Sequence, residues 1–283
     1  MSNVTVKSED RIKSLINSDQ VKSRFNEILG SRAPAFMSSV LSAVNSNPQL
    51  KNCEPMSVIQ SAAIAASMDL PINSSLGFAH IVPYGDKAQF QMGWKGFVQL
   101  AMRTGQYKTI HTAPVYEGQI KSHNQFTGEM EFNFSVKSAK VEGYLLYFKL
   151  LNGFEKYFYM TEEEIESHGK RYSKSFAKGY GVWKENFEAM ALKTVVKLGL
   201  SKFGVLSVDM QKAIESDQGT VSDDGLISYQ DKQQETSQDQ PSQKKRSSRM
   251  SKFMSQDEAP KSEPKDVTPK PEAEAPQVDM DIV

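Results

Sequence analysis

The stretch VEGYLLYFKLLNGFEKYFYMTEEE, Val141 to Glu164, decides the fold class. Two runs rich in β-branched and aromatic residues, 141–151 and 154–160, flank Asn152-Gly153, a dipeptide that closes antiparallel hairpins because both residues accept positive φ. Directly after the second run, Thr161 and Glu164 have the spacing of a capping box, which opens a helix by reciprocal side-chain to backbone hydrogen bonds. A hairpin that runs straight into a capped helix belongs to an antiparallel sheet with helices packed on it.

Working outward, apolar periodicity predicts helices over about 18–29, 33–46 and 55–69, the last opened by Pro55 at a first-turn position. Phe78–Tyr84 and Lys87–Met92 flank Gly85-Asp86 as a second hairpin. A helix over Gly93–Thr104 is closed by Gly105, and further strands are expected at about 106–117 and 130–136. Beyond 161 come the capped helix, a Gly-punctuated basic linker, a long helix over 182–203 and a short one over 207–215. Helices, then an antiparallel meander, then helices read as an α+β fold, with the β-hairpin sheet packed against helices.

The 283 residues carry 34 basic and 34 acidic side chains, but the balance is uneven. Residues 1–215 hold 25 Lys/Arg against 20 Asp/Glu, and the remainder holds 9 against 14. A mildly basic body with an acidic tail favours an anionic ligand for the body. The expected organisation is an N-terminal helical segment (1–30), a core (31–216) and a disordered acidic tail (217–283). The tail has too little apolar surface to offset its ordering entropy. It contains a basic knot, Lys244-Lys245-Arg246-Ser-Ser-Arg249, and ends on an alternating acidic–apolar stretch, Val278–Val283, that reads as a solubilising end or a docking peptide. The single cysteine, Cys53, excludes a disulfide framework and a Cys-rich zinc site. With no apolar run long enough for a membrane span and a charged N-terminus, the expected location is the cytoplasm.

Enzymatic signatures are missing from the sequence. There is no phosphate-binding Gly loop, and the four histidines, His80, His111, His123 and His168, show no metal-helix spacing. The acidic run Glu162-Glu163-Glu164 with Glu166 lies in a first helical turn, where it complements the helix dipole. No catalytic, cofactor or metal residue is assigned.

The pattern that does carry chemistry is basic and aromatic. Between Lys170 and Lys202 lie eight basic residues and two acidic ones, with Tyr172, Phe176 and Tyr180 interleaved among Arg171, Lys174 and Lys178. Cations neutralise phosphates and aromatic faces stack bases without sequence preference; the competing reading is a solvated basic loop whose aromatics face the core. On the helix that follows, Trp183, Phe187, Met190, Thr194 and Leu198 share one face, so Lys193 and Lys197 are expected on the exposed opposite side. A second basic set comprises Lys95, Arg103 and Lys108 beside Gln106, with Lys137 and also Lys140, Lys149 and Lys156 as strand-borne charges. Arg103 also suits the C-terminal end of its own helix.

Two blocks then resemble a known family. Gly93-Trp-Lys-Gly-Phe-Val-Gln-Leu-Ala-Met-Arg-Thr-Gly-Gln106 is similar to the G-[YW]-[RK]-G-x-x-x-L-A-x-R-[ST]-G-Q signature of the phage RecT proteins, and Gln89-Phe-Gln-Met extends the match. Val182-Trp-Lys-Glu-Asn-Phe-Glu-Ala-Met-Ala-Leu-Lys-Thr194 resembles their W-x-x-x-[FW]-x-x-M-A-x-K-T helix, and Leu70-Pro-Ile-Asn upstream is also similar. The resemblance covers about 30–215. It implies an ATP-independent single-strand annealing recombinase, distantly akin to lambda Red beta, without nuclease activity or cofactor. It further implies an α+β core like that of eukaryotic annealing ring proteins. The partners it implies are single-stranded DNA and the annealed duplex, copies of the chain in a ring or helical filament, and a phage exonuclease. The tail departs from the best-known relatives, and its expected role is docking to that exonuclease or to the host single-strand-binding protein. The resemblance places DNA contacts on Lys193, Thr194 and Lys197; Arg171, Lys174 and Lys178 are assigned from charge pattern alone. The competing class is a passive single-strand coat that shields DNA without pairing it.

Overall fold

The computed structural model describes residues 8–217, together with two short strands beyond them at 220–221 and 227–228. The basic knot and the C-terminal end of the tail lie outside the described residues. One compact unit spans Met1–Gln233, and every element below belongs to it.

Four helices come first: α1 (Ser8–Ile16), α2 (Asp19–Leu29), α3 (Ala33–Ser46) and α4 (Pro55–Ser67). They bury Ile12, Ile16, Phe25, Val40, Val44 and Val58 in the same core as the rest of the unit. The hairpin of β1 (Ala79–Tyr84) and β2 (Lys87–Met92) packs on α4. Ser57 and Ser61 of α4 supply what the β2 backbone needs at Ala88: the Ala88 N–H donates to Ser57 Oγ at 2.8 Å, and Ser61 Oγ donates to the Ala88 carbonyl at 3.2 Å. A buried strand edge thereby has its polar groups paired. Helix α4 ends in a Schellman turn: Leu70 N–H donates to Ala65 O, Asp69 N–H donates to Ala66 O, and Asp69 takes φ 51°.

After α5 (Trp94–Arg103) the chain forms β3 (Tyr107–Tyr116), β4 (Ile120–His123), β5 (Met130–Phe132), β6 (Val141–Leu150) and β7 (Glu155–Thr161). The main sheet is antiparallel with order β3-β6-β7. In β6 burial alternates as period two requires: Tyr144, Leu146, Phe148 and Leu150 are buried beneath helices. The turn predicted at Asn152-Gly153 is present but longer than two residues. Leu150 N–H donates to Phe154 O at 2.7 Å, Gly153 N–H donates to Leu150 O at 3.2 Å and Gly153 sits at φ 92°, so a three-residue loop closes on a left-handed glycine. Of the strand expected at 130–136 only Met130–Phe132 forms, and its partner β4 was not anticipated. The capping box is present, with Glu164 N–H donating to Thr161 Oγ1 and Thr161 N–H donating to Glu164 Oε2.

The region after β7 departs most from expectation. Helix α6 (Glu162–Tyr172) extends into the supposed linker, and a one-turn α7 (Lys174–Ala177) follows, capped by Ser173. The helix expected over 182–203 is broken at Asn186 into α8 (Val182–Glu185) and α9 (Phe187–Phe203). Asn186 lies at φ −144°, ψ 64°, and its side chain accepts the Ala189 N–H, so it caps α9. Helix α9 packs on β3, β6, β7, α5 and α6 at once and buries every residue from Met190 to Val196. It is the central helix of the fold and has no wide polar face. Helix α10 (Val208–Ser216) closes the unit against α5 and β2, and β8 (Thr220–Val221) pairs with β9 (Ile227–Ser228).

Candidate nucleic-acid interface

The two sequence blocks meet in space because α5 and α9 pack together. The glycines of the first block are packing residues. A Cβ on Gly93 would lie 2.0 Å from the Gly77 carbonyl oxygen, and one on Gly96 would lie 2.2 Å from that of Phe78. Only hydrogen fits there, and this lets α5 lie directly on the backbone leading into β1. Phe97 is fully buried, Trp94 packs against the core, and Lys95 is exposed with its ammonium 5.7 Å from the Trp94 ring centroid.

Lys193 and Lys197 come out differently from the sequence reading. Lys193 is not on an exposed face; it is 5% exposed. Its ammonium donates to Asp217 Oδ1 at 2.8 Å, and that of Lys197 donates to Asp217 Oδ2 at 2.7 Å. The backbone N–H of Met92, at the end of β2, donates to Asp217 Oδ1 at 2.9 Å. One carboxylate thus gathers two ammonium groups and an amide, with its own side chain fully buried. Asp217, which composition assigns to the tail, is the C-cap of α10 and part of the core. Burial alone would push its carboxyl up, but the two lysines outweigh burial and hold it below the ordinary carboxylate range. Burial lowers the Lys193 ammonium against the pull of Asp217. Two histidines border the group, both held low, first by burial: His80 on β1, next to Lys193, and His168 on α6, next to Lys197 and Arg171. Sequence reasoning missed Asp217, His80 and His168 as members of this cluster, since no spacing rule joins residues 20 to 137 positions apart. Thr194 is buried, and its hydroxyl donates to Met190 O within α9.

With this geometry in view, comparison with known proteins is decisive. The profile of the RecT family matches residues 34–239, which include both blocks and Asp217. The chain belongs to the RecT family. Among curated relatives, it is similar to an uncharacterized protein, YqaK, of Bacillus subtilis strain 168. The two are 52% identical over 204 residues, which is 72% of this chain and 70% of the relative. It is also similar to Protein RecT of Escherichia coli K12, 27% identical over 238 residues, 75% of this chain and 82% of that protein. As expected from the motifs, the chain is a recombination protein of the single-strand annealing class.

In this RecT-family chain the remaining candidates are placed as follows on the fold. Arg171, Lys174 and Lys178 are exposed on α6, α7 and the turn that follows. Beside them Tyr172 and Tyr180 are 40% and 58% exposed, whereas Phe176 stacks on Trp183 at 5.2 Å in the core. The interleaved aromatics therefore split between surface and interior. Gly179 and Gly181 take positive φ in the turn, whereas Gly169 is there to let Trp183 and Phe176 close on α6. Gln106 and Lys108 are exposed at the start of β3. Arg103 reaches across to another helix: its guanidinium donates to Met68 O and Asp69 O, both at 2.8 Å, and so fastens the end of α4. Lys137 lies exposed in the loop before β6 and not on a strand; nearby Lys140 pairs with Glu117. Lys149 pairs with Glu155, and Lys156 lies over the Phe203 ring.

A further surface escaped the sequence reading. On the side of the sheet away from α9, Tyr147 and Tyr157 are 4.7 Å apart, Phe132 adjoins Tyr157 at 5.7 Å, and Phe134 adjoins Phe132 at 6.2 Å with 90% of it exposed. Tyr144 and Tyr147 are three apart, an odd number, so they project to opposite faces. The alternation of β6 was the signal that could have separated them.

Among the described residues no cluster of three or more His, Cys, Asp or Glu is arranged to hold a metal ion, and no helix is long and apolar enough to cross a membrane.

Proposed function

We propose that this chain is an ATP-independent annealing protein that binds single-stranded DNA and the newly formed duplex in a basic groove of an oligomeric filament or ring. The observation that carries the reading is the RecT-family match over both sequence blocks and the helices that bear the basic residues. Exposed Arg171, Lys174 and Lys178 beside Tyr172 and Tyr180 have the chemistry of a phosphate track with base-stacking faces. Lys95, Gln106, Lys108 and Lys137 extend the set on the surface, and Lys193, Thr194 and Lys197 lie beneath it in α9. In this mechanism cations hold one strand by its backbone, the base edges stay open, and Watson–Crick pairing selects the partner strand. Subunits in a row add up phosphate contacts that one mildly basic body cannot supply. No covalent chemistry is required, and the site of action is the cytoplasm of a bacterial cell. A phage exonuclease and the host single-strand-binding protein are the proposed partners.

The test is sequential addition across a salt series without nucleotide: one labelled oligonucleotide, then its complement or an unrelated strand. Annealing activity converts a weak, salt-sensitive complex into a slowly dissociating one only with the complement. A passive coat treats both strands alike or shuts the complement out.

A further inference from the structure

The group formed by Asp217, Lys193, Lys197 and the Met92 N–H has more donors than one carboxylate needs. We propose that these three donors form a phosphate seat, held by Asp217 in the free chain and taken over by the backbone of single-stranded DNA on binding; this rests on the DNA-binding reading above.

Four observations lead to it. First, the donors come from two separate elements, β2 and α9, and converge on two oxygens of one anion at 2.7 to 2.9 Å. A phosphodiester offers the same two-oxygen acceptor and the same charge. Second, the charges do not cancel. Two ammonium groups meet one carboxylate, an excess of one formal positive charge. Third, the seat opens at one end: the Lys197 side chain is 26% exposed while Asp217 is sealed. His168 on α6 feels the charges of Lys197 and Arg171, and the exposed Lys174 and Lys178 follow Arg171 in the chain. Fourth, Asp217 sits at the C-terminal end of α10, with its N–H on Ala213 O at 3.1 Å, and it begins the acidic last quarter of the sequence. In the proposal the last turn of α10 uncoils and withdraws the carboxylate, giving up the packing of α10 and β8 on β2, while the three donors keep their places on α9 and β2. Stability alone gives little reason for the arrangement, because a buried ion pair is commonly matched or exceeded by apolar residues of similar volume.

Asp217→Asn in the full chain tests the idea. It removes the competing charge and keeps an acceptor for the Met92 N–H. The expected result is single-stranded oligonucleotide binding tighter by about threefold or more at an unchanged log–log salt slope, because the same phosphates are engaged in both complexes and only the competing carboxylate is gone. Asp209→Asn, which makes the same charge change on α10 away from the seat, controls for net charge and does not reproduce that gain. Equal affinity for wild type and a folded Asp217→Asn overturns the proposal. If wild type binds no single-stranded DNA at all, the functional reading falls with it, so the two failures are distinct. Should the variant not fold, the wild-type chain supplies the second test. A carbodiimide couples contacting carboxylate and amine directly, and mass spectrometry reads the Asp217–Lys193 and Asp217–Lys197 links. The expected result is links in the free chain that saturating oligonucleotide suppresses. Links that persist at the same yield, or never form because the seat never opens to a small reagent, overturn the proposal.

Discussion

Two basic stretches lie within thirty residues of one another and differ in almost everything but composition. From Arg171 to Lys178 the cations sit exposed at the end of α6, on the one-turn α7 and in the turn after it. At Lys193 and Lys197 the same residue type is drawn into the most crowded helix of the fold, around a carboxylate from the end of α10. Like charges four residues apart disfavour an isolated helix; here a third group, distant in sequence, resolves the conflict. The comparison teaches that the number of elements packed on a helix, rather than its own pattern, decides whether a basic residue is surface or core.

The comparison is broken most directly by Lys193→Ala. It leaves Asp217 buried with one ammonium and the Met92 N–H, and about 3 kcal/mol of stability should be lost, read by urea or thermal unfolding. The double change Lys174→Ala with Lys178→Ala should instead leave stability within about 0.5 kcal/mol while flattening the salt slope of oligonucleotide binding by about 0.7 for each phosphate contact removed. If the two variants destabilise equally, the distinction fails.

Gly93→Ala probes the junction that brings α5 to β1. Overpacking against the Gly77 carbonyl should cost about 1–3 kcal/mol. An unchanged melting temperature would show that the backbone yields there.

Tyr180→Ala sharpens the same contrast on the surface side. If Tyr180 stacks a base, affinity for single-stranded DNA should drop by about 1–3 kcal/mol with little change in unfolding; unaltered affinity would reduce the 170–180 region to phosphate contacts alone.

The smallest effect expected is on pH. His80 and His168 are held below their ordinary value. The unfolded chain therefore takes up protons first as pH drops below about 6.5, and stability falls from there down through the depressed folded values. His80→Gln should reduce the slope of melting temperature against pH in that window. Asp217 adds a separate loss at lower pH, once its depressed carboxyl protonates. A melting temperature flat from pH 7 to 5 would contradict the histidine assignment.

Much of this was legible in the linear chain, for reasons that can be named. Period-two alternation in 141–150, the capping box at Thr161 and the hairpin at Gly85-Asp86 are local, and each appeared where its chemistry required. The two RecT blocks were legible because they are contiguous. Errors fell where a decision depended on distant partners. The helix expected to run unbroken from 182 stops at Asn186, whose side chain satisfies a backbone donor better as a cap than as a helical residue. Arg103 appeared to serve its own helix and serves the end of α4 instead. Phe176 and Tyr180 share a pattern but one is core and the other surface.

By itself, then, the sequence determined the class of fold, the places where most elements begin and the family, because hydrophobic period, capping and turn chemistry act over a few residues. Only the tertiary structure decided which glycines are contact points, which cations face water and which are held by Asp217. Those outcomes depend on burial, and burial is set by what the rest of the chain brings alongside.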